Sequence, residues 1–450
     1  MSLKKSFLIG LCLFLFHSFA HAEVLGVYKT ESGTGWLEKS EQGDLILHLE
    51  GTYYDMGLQQ GNLLKKEVRL SLDCVKGLLH HYDPLVPMSV ASAILYEYTY
   101  AKEIPYIPLK YQVELRGVAE GAGVDLKTLQ SVHGLIFLAS CSSVAAWGNA
   151  TRDGKLYFIR SLDYPLNFVD PKTGVAIQDN SLIVIYKPRG EIPYLTFNWP
   201  GFVGSAGGMN AQGVLISVLT NQSKFENPAG LPMIFRVKQV LDKANSVDGA
   251  IRLIGAKPFE GGYNFVIAQT KYPQAIAVEM DAREIYIGGW NGPAESNRYH
   301  YRGKEYVYEP IPDVVLRTNH PLSSELISHH RGKIERGKKD DSSSSARYRD
   351  LRARVLKEYG NLDLETMNQI MRAHYQGMYQ GKNDRKYQPT MHQVAYDPAT
   401  GDFIIAFAKG DPKKSNKFKV SAYNQPYHRY NFYELLQRKP NTEYPEAKSQ

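Results

Sequence analysis

The stretch Ser140–Pro165, SCSSVAAWGNATRDGKLYFIRSLDYP, contains two strand-like runs separated by a polar turn. Cys141 lies at the start of the first run, and Arg160 and Asp163 lie at the end of the second. If the runs pair as a hairpin, these ends meet, and both charged residues come to lie beside Cys141. We therefore predict that Cys141 is a nucleophile assisted by Arg160 and Asp163. The alternative is a small buried cysteine on a core strand, since free cysteine is among the most buried residue types.

Composition indicates a soluble globular protein. The chain has 450 residues, of which 43% are hydrophobic and 22% are charged, and these values are typical of folded domains. The length allows one large domain or two ordinary ones. The formal net charge is +7, and the basic residues are scattered along the chain and do not form a stripe. We therefore expect no nucleic-acid partner.

The first 22 residues have the pattern of a secretory signal peptide. Lys4 and Lys5 precede an apolar run that ends in Ala20-His21-Ala22, a small-residue cleavage pattern. No later segment supplies the roughly 20 consecutive apolar residues that span a bilayer. We expect a mature chain that begins at Glu23 and is secreted or periplasmic.

Removal of residues 1–22 would take away Cys12 and leave Cys74 and Cys141. In an oxidising compartment two cysteines commonly form a disulfide. A catalytic Cys141 must instead stay a thiol. The two interpretations of this cysteine pair exclude each other.

The chain changes character at Cys141. Before it, Leu45–Leu49 is strand-like, and apolar residues then recur at helical spacing, so residues 23–140 are predicted to be mainly helical. After it come many short runs rich in β-branched and aromatic residues, separated by turns. One helix is predicted from Pro232 to Ile254, and two later helices near Arg347–Glu358 and Leu364–His374. Antiparallel strands with covering helices predict an α+β layered sandwich.

Several polar residues at strand ends are candidates for a site. In LRTNHP, Asn319 follows an apolar strand, where its amide can donate to a developing oxyanion. His320 is a general base for Cys141, as in a papain-like arrangement, or a turn residue. Asn210 and Asn221 lie at the two ends of one predicted strand, although asparagine is also a common turn former.

Metal and cofactor sites are not indicated. His80-His81 and His329-His330 are adjacent pairs, and neighbouring side chains on a strand or helix point apart, so neither makes a good metal clamp. The sequence has no HExxH, CxxC or Gly-Lys-Ser/Thr motif. We expect no metal and no cofactor.

Seven pieces together resemble a known family, and they occur in its order over most of residues 45–437. They are GTYYDMGLQQG, CSSVAAWG, RSLDYP, GGMNAQGV, RTNHP, SSSARYRDLR and YNFYELL. The family is that of the self-cleaving N-terminal-nucleophile hydrolases of the isopenicillin-N acyltransferase type, with the related choloylglycine hydrolases and acid-ceramidase-like amidases. This resemblance implies a four-layer αββα sandwich.

The resemblance also implies roles for individual residues. The precursor would cut itself at Ser140-Cys141, leaving residues 23–140 as a second subunit and 141–450 as the hydrolase core. Cys141, Arg160, Asp163 and Asn319 match the family's catalytic residues, and Arg347 falls near an active-site arginine. Asn210, Asn221 and Arg347 are the candidate substrate-binding residues. The motif here is Ile159-Arg160-Ser161-Leu162-Asp163, which lacks the asparagine usual between the arginine and the aspartate.

The chemistry of such residues favours amide cleavage of a small N-acylated substrate. An N-terminal cysteine carries its own base, because an α-amino group has a pKa of about 7.7–8. Asp163 would orient that amine, and Arg160 would favour the thiolate. Two alternatives remain: an unprocessed thiol hydrolase that uses His320, and a non-catalytic exported binding protein with a Cys74–Cys141 disulfide. The oligomeric state is open.

Overall fold

The computed structural model describes residues 22–82, 93, 96–133, 140–164, 166, 168–170, 172–332, 343–379, 390–410 and 421–440. The predicted signal peptide and Cys12 lie outside these residues, apart from Ala22.

Eighteen strands are defined in the described part of the chain. They are β1 Glu23–Lys29, β2 Thr34–Lys39, β3 Leu45–Gly51, β4 Ser140–Gly148, β5 Gly154–Asp163, β6 Leu182–Pro188, β7 Tyr194–Asn198, β8 Gly207–Asn210, β9 Val214–Thr220, β10 Tyr263–Gln269, β11 Gln274–Met280, β12 Ile285–Gly288, β13 Arg298–Tyr301, β14 Lys304–Val307, β15 Val314–Arg317, β16 Thr390–Asp397, β17 Asp402–Phe407 and β18 His428–Asn431.

The strands form two main sheets and one small hairpin. The larger sheet has ten strands in the order β1-β2-β3-β6-β7-β8-β9-β10-β11-β12, and the smaller has six in the order β15-β4-β5-β16-β17-β18. Strand β3 pairs with β6 in parallel, whereas the other pairs are antiparallel. Strands β13 and β14 form a separate two-stranded hairpin.

The described part of the chain contains ten helices and several short helical turns. They are α1 Tyr53–Leu63, α2 Lys65–Tyr82, α3 Leu109–Ala122, α4 Leu126–His133, α5 Met233–Lys243, α6 Val247–Ile254, α7 Ser324–His329, α8 Ser344–Lys357, α9 Leu364–Tyr379 and α10 Phe432–Gln437, with short helical turns at Tyr96–Tyr100, Ala101–Glu103 and Ile104–Tyr106. None of the helices in the described residues is both long and apolar enough to cross a membrane.

Three buried apolar clusters define four layers. The first joins α1, α3 and α5 to the outer face of the larger sheet, with Met56, Leu115 and Phe235 at its centre. The second fills the space between the two sheets. The third joins α8 and α9 to the outer face of the smaller sheet, through residues such as Leu351 and Met367. Each sheet is thus covered by helices on one face and by the other sheet on the opposite face, and the predicted αββα sandwich is confirmed.

The leading segment, residues 23–140, contains more strand than predicted. Strands β1 and β2 precede β3, where the sequence indicates only a short irregular stretch, and all three belong to the larger sheet. The predicted helix from Pro232 to Ile254 is two helices, because the chain leaves the helical conformation at Ala244 and Ser246 caps the N-terminus of α6. The two later helices are confirmed as α8 and α9.

Glycines in α1 and α3 allow these helices to pack backbone to backbone. A Cβ atom at Gly57 would lie 2.1 Å from Glu114 O, and one at Gly117 would lie 2.3 Å from Tyr54 O. Glycine in a helix interior costs about 1 kcal/mol relative to alanine, and here it permits the close contact of the two helices. This contact fixes the helical layer over the larger sheet.

Candidate active site

The register of β4 and β5 places the predicted residues around Cys141. Cys141 lies opposite Leu162, Ser143 opposite Arg160, and Ser140 opposite Asp163. The predicted hairpin is therefore confirmed. Because side chains alternate between the faces of a strand, Cys141 and Arg160 share the face toward the larger sheet. Asp163 lies on the other face, toward α8 and α9.

Arg160 approaches Cys141 on the thiol side. Its Nη2 lies 3.9 Å from Cys141 Sγ and donates to Val218 O at 3.3 Å. Its Nε donates to Ser217 Oγ at 3.1 Å, and its Nη1 lies 3.1 Å from His392 Nε2. The guanidinium is buried between the two sheets, with 2% of the residue exposed. It is a fixed positive charge next to the sulfur.

Asn319 and Arg347 contact the main chain of Cys141. The backbone N–H of Cys141 donates to Asn319 Oδ1 at 2.7 Å, and Arg347 Nη1 donates to Cys141 O at 2.6 Å. Arg347 Nη2 also donates to Asn319 Oδ1 at 2.6 Å. Both main-chain polar groups of Cys141 are thus held by side chains from distant parts of the sequence.

Asp163 is buried among hydroxyl groups that all donate to it. Ser161 Oγ and Thr390 Oγ1 each donate to Oδ1 at 2.9 Å, and Tyr375 OH donates to Oδ2 at 2.5 Å. Arg347 Nη1 lies 4.0 Å from Oδ2. Burial raises the pKa of Asp163 to about 6, although Arg347 and the hydroxyl donors oppose that rise. The charge of this carboxyl group therefore changes around pH 6.

The thiol of Cys141 is protonated near neutral pH while the chain is intact. Burial raises its pKa to about 11, and the positive charges of Arg160 and Arg347 oppose this rise. A thiolate is the reactive form of cysteine. At neutral pH most of this thiol is therefore in its less reactive, protonated form.

The loop that carries Asn319 is fixed at several points. Asn264 Nδ2 donates to Thr318 O and to His320 O, each at 2.9 Å. Asn319 Nδ2 donates to Thr220 O at 2.8 Å, at the end of β9. At the start of the loop, Arg317 forms buried ion pairs with two glutamates, at 2.8 Å and 2.6 Å. These contacts keep the Asn319 side chain directed at Cys141.

An apolar pocket with a cavity volume of about 30 Å³ borders Cys141 and Arg160. Most of its wall is apolar and aromatic, from Leu162, Tyr164, Phe197, Trp199, Phe202 and Val218, and Asn198 and Thr220 add polar groups. A second apolar chamber, with a cavity volume of about 40 Å³, shares Tyr164, Trp199 and Phe202 with it. Helices α2 and α4 of the leading segment contribute to the wall of this second chamber.

The structure places the other predicted site residues differently. Asn210 is fully buried: its Nδ2 donates to Leu241 O and Ala244 O, and its Oδ1 accepts from two backbone N–H groups in the β8–β9 turn. These contacts favour the turn-forming alternative for Asn210, because the side chain has no group left for a ligand. Asn221 lies next to Thr220, but its Oδ1 contacts His330 Nδ1 at 2.7 Å. Asn221 and Asn210 are thus not brought into contact with Cys141.

The contacts of His320 and the state of Cys74 bear on the two alternative interpretations of Cys141, a histidine-assisted thiol and a disulfide. Both ring nitrogens of His320 have partners other than cysteine, Ser344 Oγ at 2.6 Å and Tyr308 OH at 2.8 Å. Burial holds the pKa of His320 well below its usual value. Cys74 and Cys141 are both free thiols. The geometry thus gives no support to a His320–Cys141 pair or to a Cys74–Cys141 disulfide.

Four residues of this cluster were not predicted from the sequence. Tyr375 and Thr390 bind Asp163, and Ser217 and His392 bind Arg160. Their pattern in the sequence is that of ordinary core residues, and only sheet pairing brings them here. Strand β16 lies next to β5, with Thr390 opposite Asp163. No group of three or more metal-binding side chains capable of holding a metal ion occurs within the described ranges.

Comparisons with solved structures give weak similarity. The Caenorhabditis elegans N-acylethanolamine-hydrolyzing acid amidase ortholog is 12% identical with a TM-score of 0.36, and the match covers 65% of this chain and 99% of that one. Penicillin V acylase from Agrobacterium tumefaciens is 13% identical with a TM-score of 0.37, and the match covers 60% of this chain and 83% of that one.

Two curated proteins are similar in sequence. Protein dcd1A of Dictyostelium discoideum is 26% identical over 237 residues, 47% of this chain and 53% of that protein. An uncharacterized protein of Archaeoglobus fulgidus is 24% identical over 375 residues, 75% of this chain and 59% of that protein. The chain spans just over half the length of these two relatives.

A sequence profile of one family matches residues 150–412. The matched range begins just after Cys141 and contains Arg160, Asp163, Asn319 and Arg347, so most of the cluster lies within it. The match covers more than half of the chain and confirms the family expected from the motifs. The protein belongs to the acyl-coenzyme A:6-aminopenicillanic acid acyl-transferase family.

Proposed function

We propose that this protein is a self-cleaving cysteine amidohydrolase or acyltransferase that acts on small N-acyl amides through a thioester at Cys141. One observation carries the proposal: Asn319 Oδ1 accepts a hydrogen bond from the backbone N–H of Cys141 at 2.7 Å. This contact orients the nitrogen that would become the catalytic α-amino group after cleavage.

Self-cleavage supplies the base that the intact chain lacks. In the proposed step, Cys141 Sγ attacks the carbonyl carbon of Ser140, and the C–N bond breaks as the nitrogen takes up the thiol proton. Water then hydrolyses the resulting thioester, which frees the Ser140 carboxylate and the thiol. The new α-amino group has an ordinary pKa of about 7.7–8 and can accept the proton of the adjacent thiol.

Turnover repeats the same chemistry on an external amide. The Cys141 sulfur attacks the amide carbonyl, and the amide group of Asn319 stabilises the oxyanion, as oxyanion donors do in other acyl-transfer enzymes. The α-ammonium group returns its proton to the departing amine. Water or an acceptor amine then breaks the thioester, which gives a hydrolase in the first case and an acyltransferase in the second.

The side chains that line the pocket favour a substrate with an apolar acyl group. Its wall beside Cys141 is formed mainly by aromatic and aliphatic side chains, and no carboxylate lines it among the described residues. Burial of apolar surface stabilises a bound group by about 25 cal/mol per Å². The second chamber, which shares three aromatic side chains with the first, extends the space available to a long acyl chain.

We propose that residues 23–140 stay bound as a second subunit after cleavage. Strands β1–β3 belong to the larger sheet, and β3 pairs with β6 over seven residues. Glu114 of α3 also forms a buried ion pair with Lys238 of α5 at 2.6 Å. Loss of the segment would leave Lys238 as an unpaired buried charge, which is strongly unfavourable.

The proposed setting is outside the cytoplasm. The apolar run after Lys4 and Lys5 and the Ala20-His21-Ala22 pattern support an exported chain. Sequencing of the N-terminus of protein recovered from culture supernatant and periplasm would test both the export and the cleavage after Ala22.

Hydrolysis of a panel of N-acyl amides tests the proposed function. Wild-type protein and the Cys141→Ala and Cys74→Ala variants would be incubated with fatty-acyl and arylacetyl anilides, with and without an acceptor amine. We expect turnover by the wild type and by Cys74→Ala, none by Cys141→Ala, and an acyl adduct on Cys141 by mass spectrometry. Turnover that survives in Cys141→Ala, or an adduct on another residue, contradicts the proposal.

A further inference from the structure

Arg160 is a buried cation whose hydrogen-bond partners are all neutral. They are Ser217 Oγ, His392 Nε2 and Val218 O, and the remaining neighbour is the sulfur of Cys141. Among the described residues, no aspartate or glutamate forms an ion pair with it. Two other buried cations have carboxylate partners, because Arg317 pairs with Glu279 and Glu295 and Lys238 pairs with Glu114. Buried Arg236, by contrast, donates to four backbone carbonyl groups.

His392 holds Arg160 as a neutral acceptor. A guanidinium only donates hydrogen bonds, so Nε2 of His392 must carry the lone pair and the ring must be uncharged. Burial and the charge of Arg160 hold the pKa of His392 well below its usual value. The ring lies against Phe197 and Phe407, with centroid distances of 5.5 Å and 6.2 Å.

The larger sheet also leaves room for the guanidinium. A Cβ atom at Gly207 would lie 3.2 Å from Arg160 Cδ and 3.3 Å from Nε. These contacts are tight, so a side chain at this position would displace Arg160. The absence of one at Gly207 lets the arginine extend from β5 across the space between the sheets toward Ser217 on β9.

We propose that His392 is a positioning residue that fixes the Arg160 guanidinium without neutralising it, so that the whole positive charge acts on the Cys141 thiolate. A carboxylate at this position would hold Arg160 equally firmly but would cancel much of its field at the sulfur. The inference rests on the proposed role of Cys141 as the nucleophile. The charged groups that influence the pKa of the thiol are Arg160, Arg347 and Asp163, and Tyr396 is a further titratable group near Arg160.

Glutamine and glutamate have nearly the same shape, so placing each of them at His392 separates the effect of charge from that of geometry. His392→Gln keeps a neutral acceptor, whereas His392→Glu supplies a carboxylate of the same shape, which stays ionised beside an arginine. The readout is the rate of alkylation of Cys141 by iodoacetamide as a function of pH, followed by peptide mass spectrometry with Cys74 as the internal reference. No substrate is needed, so the result is independent of whether the proposed amide is correct.

We expect His392→Glu to raise the apparent pKa of the Cys141 thiol by about one unit or more relative to His392→Gln, which slows alkylation near neutral pH about tenfold. The value of kcat should fall in parallel, with little change in KM. Coincident alkylation profiles for the two variants overturn the proposal. If His392→Glu shifts the pH profile of Cys141 alkylation as expected but the wild type cleaves no amide, the role of His392 stands. The proposed function is then contradicted.

A second pair of variants covers the case in which substitution of His392 prevents folding. Ser217→Asp and Ser217→Asn place the same contrast at Nε, on the other side of the guanidinium. Thermal unfolding identifies the pairs that are folded. We expect the aspartate variant to alkylate more slowly than the asparagine variant near neutral pH. Equal rates in a folded Ser217 pair contradict the proposal as directly as equal rates in the His392 pair.

Discussion

Arg160 and Asp163, three residues apart on β5, lie on opposite faces of the smaller sheet on the strand next to Cys141. Arg160 lies between the two sheets, 3.9 Å from the sulfur. Asp163 faces the outer helices, where it binds Tyr375 and lies 4.0 Å from Arg347. This division gives the thiol and the main-chain nitrogen of one residue separate electrostatic surroundings. The sulfur side has a cation without a carboxylate partner, and the side facing α8 and α9 has an arginine, an asparagine and a carboxyl group.

Asn319→Asp separates the two roles of this side chain. A carboxylate still accepts the hydrogen bond of the Cys141 nitrogen but cannot donate to an oxyanion. We expect about a 100- to 1,000-fold loss in kcat per cleaved molecule, the range seen when one oxyanion donor is removed, with little change in KM. Intact mass gives the cleaved fraction, and initial rates give kcat. An unchanged kcat in fully cleaved protein contradicts the oxyanion role.

Asn210→Ala is the matched control for that variant. It removes a buried asparagine whose contacts all lie within the fold, so we expect a loss of about 1–3 kcal/mol in the free energy of unfolding. Denaturant unfolding measures this loss. The value of kcat for the folded protein should be unchanged, because Asn210 binds the α5 end and the β8–β9 turn. A selective loss of kcat would restore Asn210 as a substrate-binding residue.

The rate of self-cleavage should fall as the pH drops through about 6. Burial raises the pKa of Asp163 to about 6, and protonation removes the charge that faces Arg347. Tyr375→Phe removes one donor to the carboxylate, so we expect it to shift this midpoint to higher pH. Tyr194→Phe is the control, since its buried hydroxyl has no hydrogen-bond partner within the described residues. The same midpoint for both variants contradicts the assignment to Asp163.

The effect of Asp163 on stability has the opposite sign to that of a salt-bridged surface carboxylate. The folded state binds this proton more tightly than the unfolded state, where the pKa is near its ordinary value of about 3.9. The stabilisation is therefore complete below about pH 4 and is lost as the pH rises toward 6. Asp163→Asn should remove this pH dependence from the measured free energy of unfolding.

Glu114→Leu should weaken attachment of the leading segment. The substitution leaves Lys238 buried without its carboxylate, a change that costs about 3–5 kcal/mol in other proteins. The double variant Glu114→Leu with Lys238→Met removes both charges and should recover most of that loss. Unfolding in denaturant and co-elution of the two fragments in size-exclusion chromatography measure the effect. A single variant as stable as the double variant contradicts the importance of this pair.

Filling the second chamber should shorten the acyl chain that is accepted. Val132 of α4 lines this chamber, and Val132→Trp would occupy part of it. We expect lower kcat/KM for dodecanoyl anilide and an unchanged value for acetyl anilide. Leu109→Trp, at a position that is 71% exposed, is the control for the added indole. Equal losses for short and long chains would show that the chamber does not hold the acyl chain.

Part of this arrangement could be predicted from the sequence. The turn between two β-rich runs predicted the β4–β5 hairpin, and Asn319 was found because an asparagine follows the apolar strand Val314–Leu316. The placement of Arg160 and Asp163 on opposite faces could also have been predicted, since an odd spacing on a strand puts two side chains on opposite faces. Our expectation that both lie beside the sulfur did not use this parity.

Other parts depend on contacts between distant segments. Tyr375, Thr390 and His392 reach the site only because α9 covers β5 and β16 pairs with it, and no local pattern distinguishes them from core residues. Strands β1 and β2 were missed because the weakly alternating runs EVLGVYK and TGWLEK depend on sheet pairing for their conformation. Asn210 resembled a site residue because it lies at a strand end, yet its partners lie about thirty residues further along the chain.

Intact-mass measurement of the purified chain tests the central claim most directly. Wild type, Cys141→Ala and the control Cys74→Ala would be expressed in full and analysed under reducing conditions. We predict two fragments that meet at Ser140-Cys141 in the wild type and in Cys74→Ala, and a single uncut chain in Cys141→Ala. A single uncut chain in all three proteins would contradict self-cleavage and remove the amine on which the proposed mechanism depends.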